Sequence, residues 1–469
     1  MLEELRIQNF KGWRDTGTIR MAPITLFFGT NSSGKSSIGH FLMMLKQTVD
    51  SADRKTAFNL GNKNSAIQLG SFQEIVYGRN RTDTISFEYQ WKLSEPLKVI
   101  NQAVDKSKVQ FQGNRMRFCA SVALPDGEKD HTPKVRSMEY TLIQSATEEE
   151  LKVKMDQKKE QKNQYNISAE GYTLKRNLGR VWSPGSPIRF YGFPDEVSAY
   201  HQNADFVKDF DLVHEKLFQS IFYLGPLREE AERIYSWSGD CPDSVGYRGQ
   251  NTVSAILAAS GEGRKIKLPG TVYRSFQEII ASELVKLGLL DRFKVNQIGK
   301  RQNYEVKVHT KGAISDVDIP DVGFGISQVL PVLVQCFYAP SNSIIIMEQP
   351  EIHLHPSAQA ALADVMIDVI YSRENGRDRN IQLIIETHSE HFLRRLQRRI
   401  AEGTLHESKL SAYFADVTTV PAQLRELEID EYGSVRNWPR DFFGDEMGDI
   451  TAQAEGALKK RIARQGGQR

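Results

Sequence analysis

The chain has 469 residues, of which 40% are hydrophobic, with a formal net charge of +2 and three cysteines. That length suits roughly two to four domains with their own cores, the near-neutral balance gives little global pull toward nucleic acid, and no apolar run approaches the roughly 20 residues of a membrane span. Cys119, Cys241 and Cys336 are widely spaced without a C-x-x-C pair and Met1-Leu2-Glu3-Glu4 lacks a signal-peptide pattern, so a disulfide framework or zinc site has no support and the cytoplasm is the expected location.

Ile24 to Phe28 reads as a buried strand and Ile38 to Leu45 as the start of a helix. Between them lies Gly29-Thr30-Asn31-Ser32-Ser33-Gly34-Lys35-Ser36, a complete G-x-x-x-x-G-K-S phosphate loop in the strand–loop–helix context that such a match needs. The small residues let backbone N–H groups curl around phosphates, and the helix N-terminus, extending through Ser37, points at them. Lys35 is expected to reach the outer phosphates and the Ser36 hydroxyl to ligate magnesium, so ATP and Mg2+ are the expected cofactors.

Residues 84–92 alternate as a half-exposed strand, and the same pattern recurs near Arg115 to Leu124 and Tyr140 to Ile143, which predicts an antiparallel sheet. Residues 146–163 are highly charged and read as an exposed strand and turn or a mobile loop; 180–217, with Pro184-Gly185-Ser186-Pro187, reads as a linker running into a helix that returns to the sheet at Ile221. Asp321 to Val329 is a glycine-containing helix start whose Gly325 and Ser327 form a candidate anion site. Ser343 to Met347 is a β-branched run ending in Glu348-Gln349-Pro350-Glu351, so a buried strand delivers an acidic group to the sheet's mouth, where magnesium would be held. Ile381 to Ile385 is another such strand and ends in Glu386-Thr387-His388-Ser389, placing His388 where it could touch a γ-phosphate. His353 and His355 beside Glu351 fit a loop better than a metal site. Arg394, Arg395, Arg398 and Arg399 lie on a probable helix, and Lys459-Lys460-Arg461 with Arg464 and Arg469 form a basic tail. The bland reading is a solvated helix face and a disordered terminus, because aromatic interleaving is missing; the alternative is DNA or RNA contact through those arginines.

The order of these motifs resembles the ABC-type ATPases of the SMC and RecF kind, and within them bacterial ATPases akin to the OLD proteins. The resemblance covers roughly residues 1–90 and 218–440 and rests on Leu5-Arg6-Ile7-Gln8-Asn9-Phe10-Lys11-Gly12-Trp13, the phosphate loop, Gly323 to Gln328, Pro350-Glu351-Ile352-His353-Leu354-His355-Pro356 and Thr387-His388-Ser389. Tyr223 to Arg228 and Asn437 to Phe443 look like an uncharacterised branch with a tail domain of unknown function. The resemblance implies an α/β fold: an ABC-type P-loop ATPase with a mixed or parallel central sheet, an antiparallel β subdomain and an inserted α+β region. It divides the chain into 1–90 with the phosphate loop, an insertion at 91–217, 218–440 with the remaining motifs, and a basic tail at 441–469. It further implies a nucleotide-sandwich homodimer or higher oligomer, in which Gly325 and Ser327 of one subunit close over ATP held by Lys35 of the other, and a cytoplasmic switch that controls a separate effector such as a nuclease. Gln68 or Gln73 is the expected magnesium-sensing glutamine, with no motif to fix which of the two, and Gln73 is taken as the candidate ligand. A Toprim nuclease of the kind found in such relatives has no room after Arg399, the wording of transport ATPases is missing, and no heptad arm supports an SMC-type bridge. One departure matters: the family usually carries Asp-Glu-Pro, and here Glu348-Gln349-Pro350 stands there. Gln349 cannot take a proton, so hydrolysis is expected to be slow or to borrow Glu351.

Overall fold

A computed structural model describes residues 1–100, 109–125, 132–158, 163–179, 183–299, 302–439, 442 and 446–466. A central six-stranded sheet runs in the order Ile221–Leu224, Ile344–Glu348, Gln382–Glu386, Ile24–Gly29, Leu410–Asp416, Gln423–Glu426. The first five strands are parallel and the last is antiparallel. Strands covered on both faces need side chains that are apolar in both directions, which is why these segments read as unbroken hydrophobic runs. Alternate residues divide between two cores: Ile24, Leu26, Phe28, Ile345, Met347, Leu383 and Ile385 face one, while Phe27, Ile344, Ile346 and Ile384 face the other.

On the second face the helix Lys35–Asp50, burying Ile38, Phe41, Leu42 and Leu45, packs with the helix Phe206–Gln219 between the central sheet and a larger antiparallel one. That sheet runs Trp13–Asp15, Leu2–Phe10, Ile85–Ile100, Val109–Ala123, Lys134–Gln144, Glu149–Gln157, Tyr165–Glu170, with Ile19–Arg20 also on Leu2–Phe10. The other face is covered by helices Thr252–Gly261, Phe276–Lys286, Phe324–Tyr338, Pro356–Tyr371 and Glu390–Ala401.

Three expectations need correction. The boundary between residues 90 and 91 falls inside the strand Ile85–Ile100, whose successors extend the N-terminal sheet over one shared core, so 91–217 is not a separate inserted body. Within 146–163 the strand-and-turn reading is the one the chain adopts at Glu149–Gln157, and only the exposure is corrected: Leu151, Val153 and Met155 are fully buried while the charged residues between them face outward, an alternation hidden by the high charge of the segment. Residues 159–162 lie outside the described set. The tail is not an irregular terminus, since Glu446–Gly466 is helical. Lys459, Lys460 and Arg461 are exposed on it; the side chain of Arg464, with Arg440, Asp441, Phe443 and Arg469, lies outside the described residues.

Candidate nucleotide site

The phosphate loop leaves its strand at Gly29 and enters the helix at Lys35. Gly29 and Gly34 adopt φ of +145° and +90°, and a Cβ at Gly29 would sit 2.8 Å from Ser33 Oγ and 2.9 Å from the Ala415 carbonyl. Only glycine fits that curl. Ser32 also lies in the left-handed region, φ 62°. The fully buried Trp13 braces the loop from beneath, its Nε1–H reaching Gly34 O and Ser37 Oγ, each at 3.0 Å. Trp13 belongs to the opening motif, and its bracing role has no signal in sequence spacing.

Lys35 Nζ donates to the loop's own carbonyls, Gly29 O at 3.0 Å and Thr30 O at 2.6 Å. Burial lowers its pKa while the nearby Glu386 carboxylate opposes that shift. Glu348 and Glu386 are register partners at the ends of neighbouring strands, and Glu386 is one strand from the phosphate loop. The alternation that sends Ile346 and Ile384 toward the Lys35–Asp50 helix sends both carboxylates there too. Glu348 accepts a hydrogen bond from Tyr223 Oη at 2.8 Å and faces His40 Nε2 at 3.0 Å. His40 Nδ1 in turn lies 3.4 Å from Lys11 Nζ. Burial, reinforced by the Glu348 charge, raises the pKa of Glu386, while the neighbouring Ser36 hydroxyl and Lys35 charge oppose that shift. The Glu386 Oε2 is buried and has no hydrogen-bond partner among the described residues. Glu386, His40, Tyr223 and Lys11 were not picked out as site residues by the sequence reading; a shared strand-end glutamate was the one signal available.

Gln349 is half-buried with φ 45°, and its N–H donates to Glu386 O at 2.8 Å. Arg228 secures this turn by donating Nη2 to Glu348 O at 3.1 Å and to Gln349 O at 3.3 Å. Glu351 is buried and accepts the His388 backbone N–H at 2.8 Å, so it ties together the turns that follow the two strands. Burial raises its pKa against the hydrogen bonds from His388 and Thr387. The exposed His388 ring is held below the usual imidazole pKa by desolvation and by the charge of Lys35.

Other expected residues are not brought to this cluster. Gln73 is exposed on a single helical turn and donates to Arg79 O at 3.2 Å; among the described residues no hydrogen bond joins it to Ser36 or Glu348. Its assignment to magnesium therefore has no geometric support. Ser327 is half-buried in the first turn of Phe324–Tyr338, its Oγ donating to Phe324 O at 2.9 Å, and it lines a cleft with Glu229, Asn251 and Pro331 rather than the cleft of the phosphate loop. Gly325 lies against this segment's neighbour, where a Cβ would stand 3.1 Å from His353 O. His355 caps the helix Pro356–Tyr371, accepting from Ser357 N. The four arginines of Glu390–Ala401 are paired internally: Arg395 and Arg399 with Asp364 at 2.6 and 2.7 Å, Arg398 with Glu402 at 2.6 Å, and Arg394 with Glu390 at 3.1 Å and over the Trp438 ring. Nucleic-acid phosphates would have to displace those carboxylates. Among the described residues no helix is long and apolar enough to cross a membrane.

The profile of an AAA domain family, described as putative AbiEii toxin, Type IV TA system, matches residues 124–394. The chain belongs to this AAA domain family. A second profile, AAA ATPase domain, matches residues 1–184, and one of a protein family of unknown function, DUF3696, matches 406–453. The chain is thus a P-loop ATPase with an α/β fold, and the tail expected to be of unknown function is one. No curated protein matches it. Solved structures with a similar course include an SMC head bound to the C-winged helix domain of ScpA, at 10% identity and TM-score 0.45, covering 91% of this chain and 98% of that one. Another is the SMC head domain from Thermotoga maritima, at 11% and 0.39, covering 91% and 99%. A third is the Smc head domain with an extended coiled coil bound to the C-terminal domain of ScpA derived from Pyrococcus furiosus, at 9% and 0.43, covering 91% and 96%. Likeness at that level says nothing of partners or activity.

Proposed function

We propose that this ATPase is an ATP-held conformational switch that hydrolyses slowly, forms a nucleotide-sandwich homodimer, and controls a separate effector such as a nuclease. The observation that carries the reading is the juxtaposition, at three neighbouring strand ends, of Lys35 and Ser36 with the paired carboxylates Glu386 and Glu348. The donor set is oxygen only, and the unpartnered, buried Glu386 Oε2 beside Ser36 suits a hard divalent cation. Ser36, Glu386 and Glu348 would hold Mg2+, which when bound neutralises charge on the outer phosphates.

The chain's own groups do the rest. Lys35 exchanges its bonds to Gly29 O and Thr30 O for phosphate oxygens. The loop N–H groups and the helix N-terminus supply fixed positive potential. His388, biased toward the neutral form by desolvation and by the charge of Lys35, suits a hydrogen bond to a terminal phosphate. Proton removal from the attacking water is the weak point, since Gln349 stands after Glu348 and an amide has no accessible basic pKa. Glu351 holds the His388 N–H through Oε1, while its buried Oε2 has no partner among the described residues, so it positions the His388 turn and is the nearest carboxylate that could take the proton instead. Loss of a general base typically costs about 10²–10⁴-fold, so the ATP-bound state would persist.

Ser327 and Gly325, half-buried behind the exposed Gly323 and Phe324 and outside the cleft of their own phosphate loop, fit a role completed by a second subunit. The toxin–antitoxin wording of the family supports a setting in antiviral defence, with DNA repair or bridging as the alternative. The decisive experiment is light scattering with and without Mg2+ and ATP: an ATP-dependent doubling of mass that Lys35→Ala abolishes is expected, and a mass indifferent to nucleotide would refute the switch.

A further inference from the structure

The strand Leu410–Asp416 lies beside the phosphate-loop strand, parallel to it, with Ala415 in register with Gly29. Its following turn therefore emerges at the same end of the sheet as the loop, on the side opposite Glu386. One cleft of about 490 Å³ runs from Ser36, Ser37 and His40 on the loop and helix to Val417, Val420 and Ala422 on this turn. Val420 is 93% exposed and Val417 is 45% exposed. These apolar side chains are held up by a polar scaffold. The buried Asp416 carboxylate accepts the Thr418 N–H at 2.9 Å and the Thr418 hydroxyl at 2.5 Å, and pairs with Arg425 at 2.8 Å. Thr419 Oγ1 donates to Pro421 O at 3.1 Å.

We propose that the 417–422 turn is the wall on which the base of the bound nucleoside triphosphate packs, so the segment of unknown function completes the nucleotide site. This rests on the phosphate-site reading above. With Glu386 and Glu348 on one side of the loop, the terminal phosphate and its cation belong on that side, and the rest of the molecule is directed across the loop toward the opposite strand. An uncharged surface of two valines and an alanine suits the face of a flat heterocycle and offers nothing to a phosphate or an ammonium group. Asp416 and Arg425 neutralise each other beneath the turn, so the wall grips by apolar contact.

The test compares binding of ATP and of inorganic tripolyphosphate, each with Mg2+, to the full chain by calorimetry. Val420→Asp, at an exposed position where folding is not at stake, should weaken ATP roughly tenfold, the factor that partial burial of one valine supports, and leave tripolyphosphate unchanged. Val420→Trp should bind ATP as tightly as the natural chain or more tightly. Unchanged ATP affinity in Val420→Asp overturns the inference, as does an equal loss for both probes. Unchanged ATP affinity with lost ATP-dependent association would also overturn it, by assigning the turn to the partner subunit. If the natural chain binds neither probe, the phosphate-site reading itself fails, and this wall with it.

Discussion

Replacing Glu386 by glutamine should act in opposite directions on the free protein and on its complex with Mg2+ and ATP. In the free protein the carboxylate is buried, its Oε2 unpartnered, and burial lifts its pKa above the ordinary value. A raised folded-state pKa means that the folded chain binds the proton more tightly than the unfolded one. The associated stability is complete below the unfolded pKa of 4.5 and is lost as pH rises through the folded value. An uncharged amide of the same shape removes that cost, so the unfolding midpoint of Glu386→Gln at pH 7 to 8 should equal or exceed that of the natural chain, and its decline with rising pH should be shallower. In the complex the sign reverses. A carboxylate beside a divalent ion contributes as a charge-assisted interaction does, about 1.5–3 kcal/mol, which corresponds to roughly a 10- to 150-fold loss of Mg2+-dependent ATP affinity. Thermal unfolding across pH 5–9 and calorimetric titration with ATP, with and without Mg2+, measure both limbs. An affinity changed less than twofold, or a clear fall in the free protein's midpoint, would refute the assignment of Glu386 to the cation side of the loop.

Trp13→Phe removes the 3.0 Å donor that Gly34 O and Ser37 Oγ share, while Gly34 O keeps the Ser37 N–H and hydroxyl; a loss of about 0.5–1.5 kcal/mol should appear in urea unfolding, together with weaker ATP binding. Ser327→Arg places bulk and charge at a half-buried position in the first turn of Phe324–Tyr338, outside the cleft of its own loop, so ATP binding by one subunit should survive while ATP-dependent association disappears in light scattering. Gln349→Glu restores a proton acceptor after Glu348 and should raise single-turnover hydrolysis by about 10-fold or more; no change would direct attention to Glu351. Arg228→Met removes the donors that hold the Glu348 and Gln349 carbonyls, and kcat should fall with little change in ATP affinity if the turn positions the attacking water.

Local chemistry made the phosphate loop, the buried parallel strands and the helix start at Gly323 readable, because each depends on residues adjacent in the chain: small residues before Lys35 and Ser36, and β-branched runs ending on an acid. What lay beyond sequence was which distant ends meet. Glu386 was read only as the edge of the His388 motif, and becomes a site residue because strand order sets Gln382–Glu386 between Ile24–Gly29 and Ile344–Glu348. His40 and Tyr223 matter because one lies on the helix face over Glu348 and the other on the next strand, relations that no spacing encodes. The charged stretch at 149–157 left strand and loop both open, and only pairing on both edges, with Leu151, Val153 and Met155 packed below, decides for a strand whose alternate side chains are buried. Likewise the arginines after His388 read as a solvated helix face with phosphate contact as the alternative, and the packing of Pro356–Tyr371 on Glu390–Ala401 supplies Asp364 as a partner for two of them. Composition and periodicity thus determine the elements and the loop's chemistry, whereas the identity of the charges that surround the nucleotide is a property of sheet order and helix packing, which arise from contacts hundreds of residues apart.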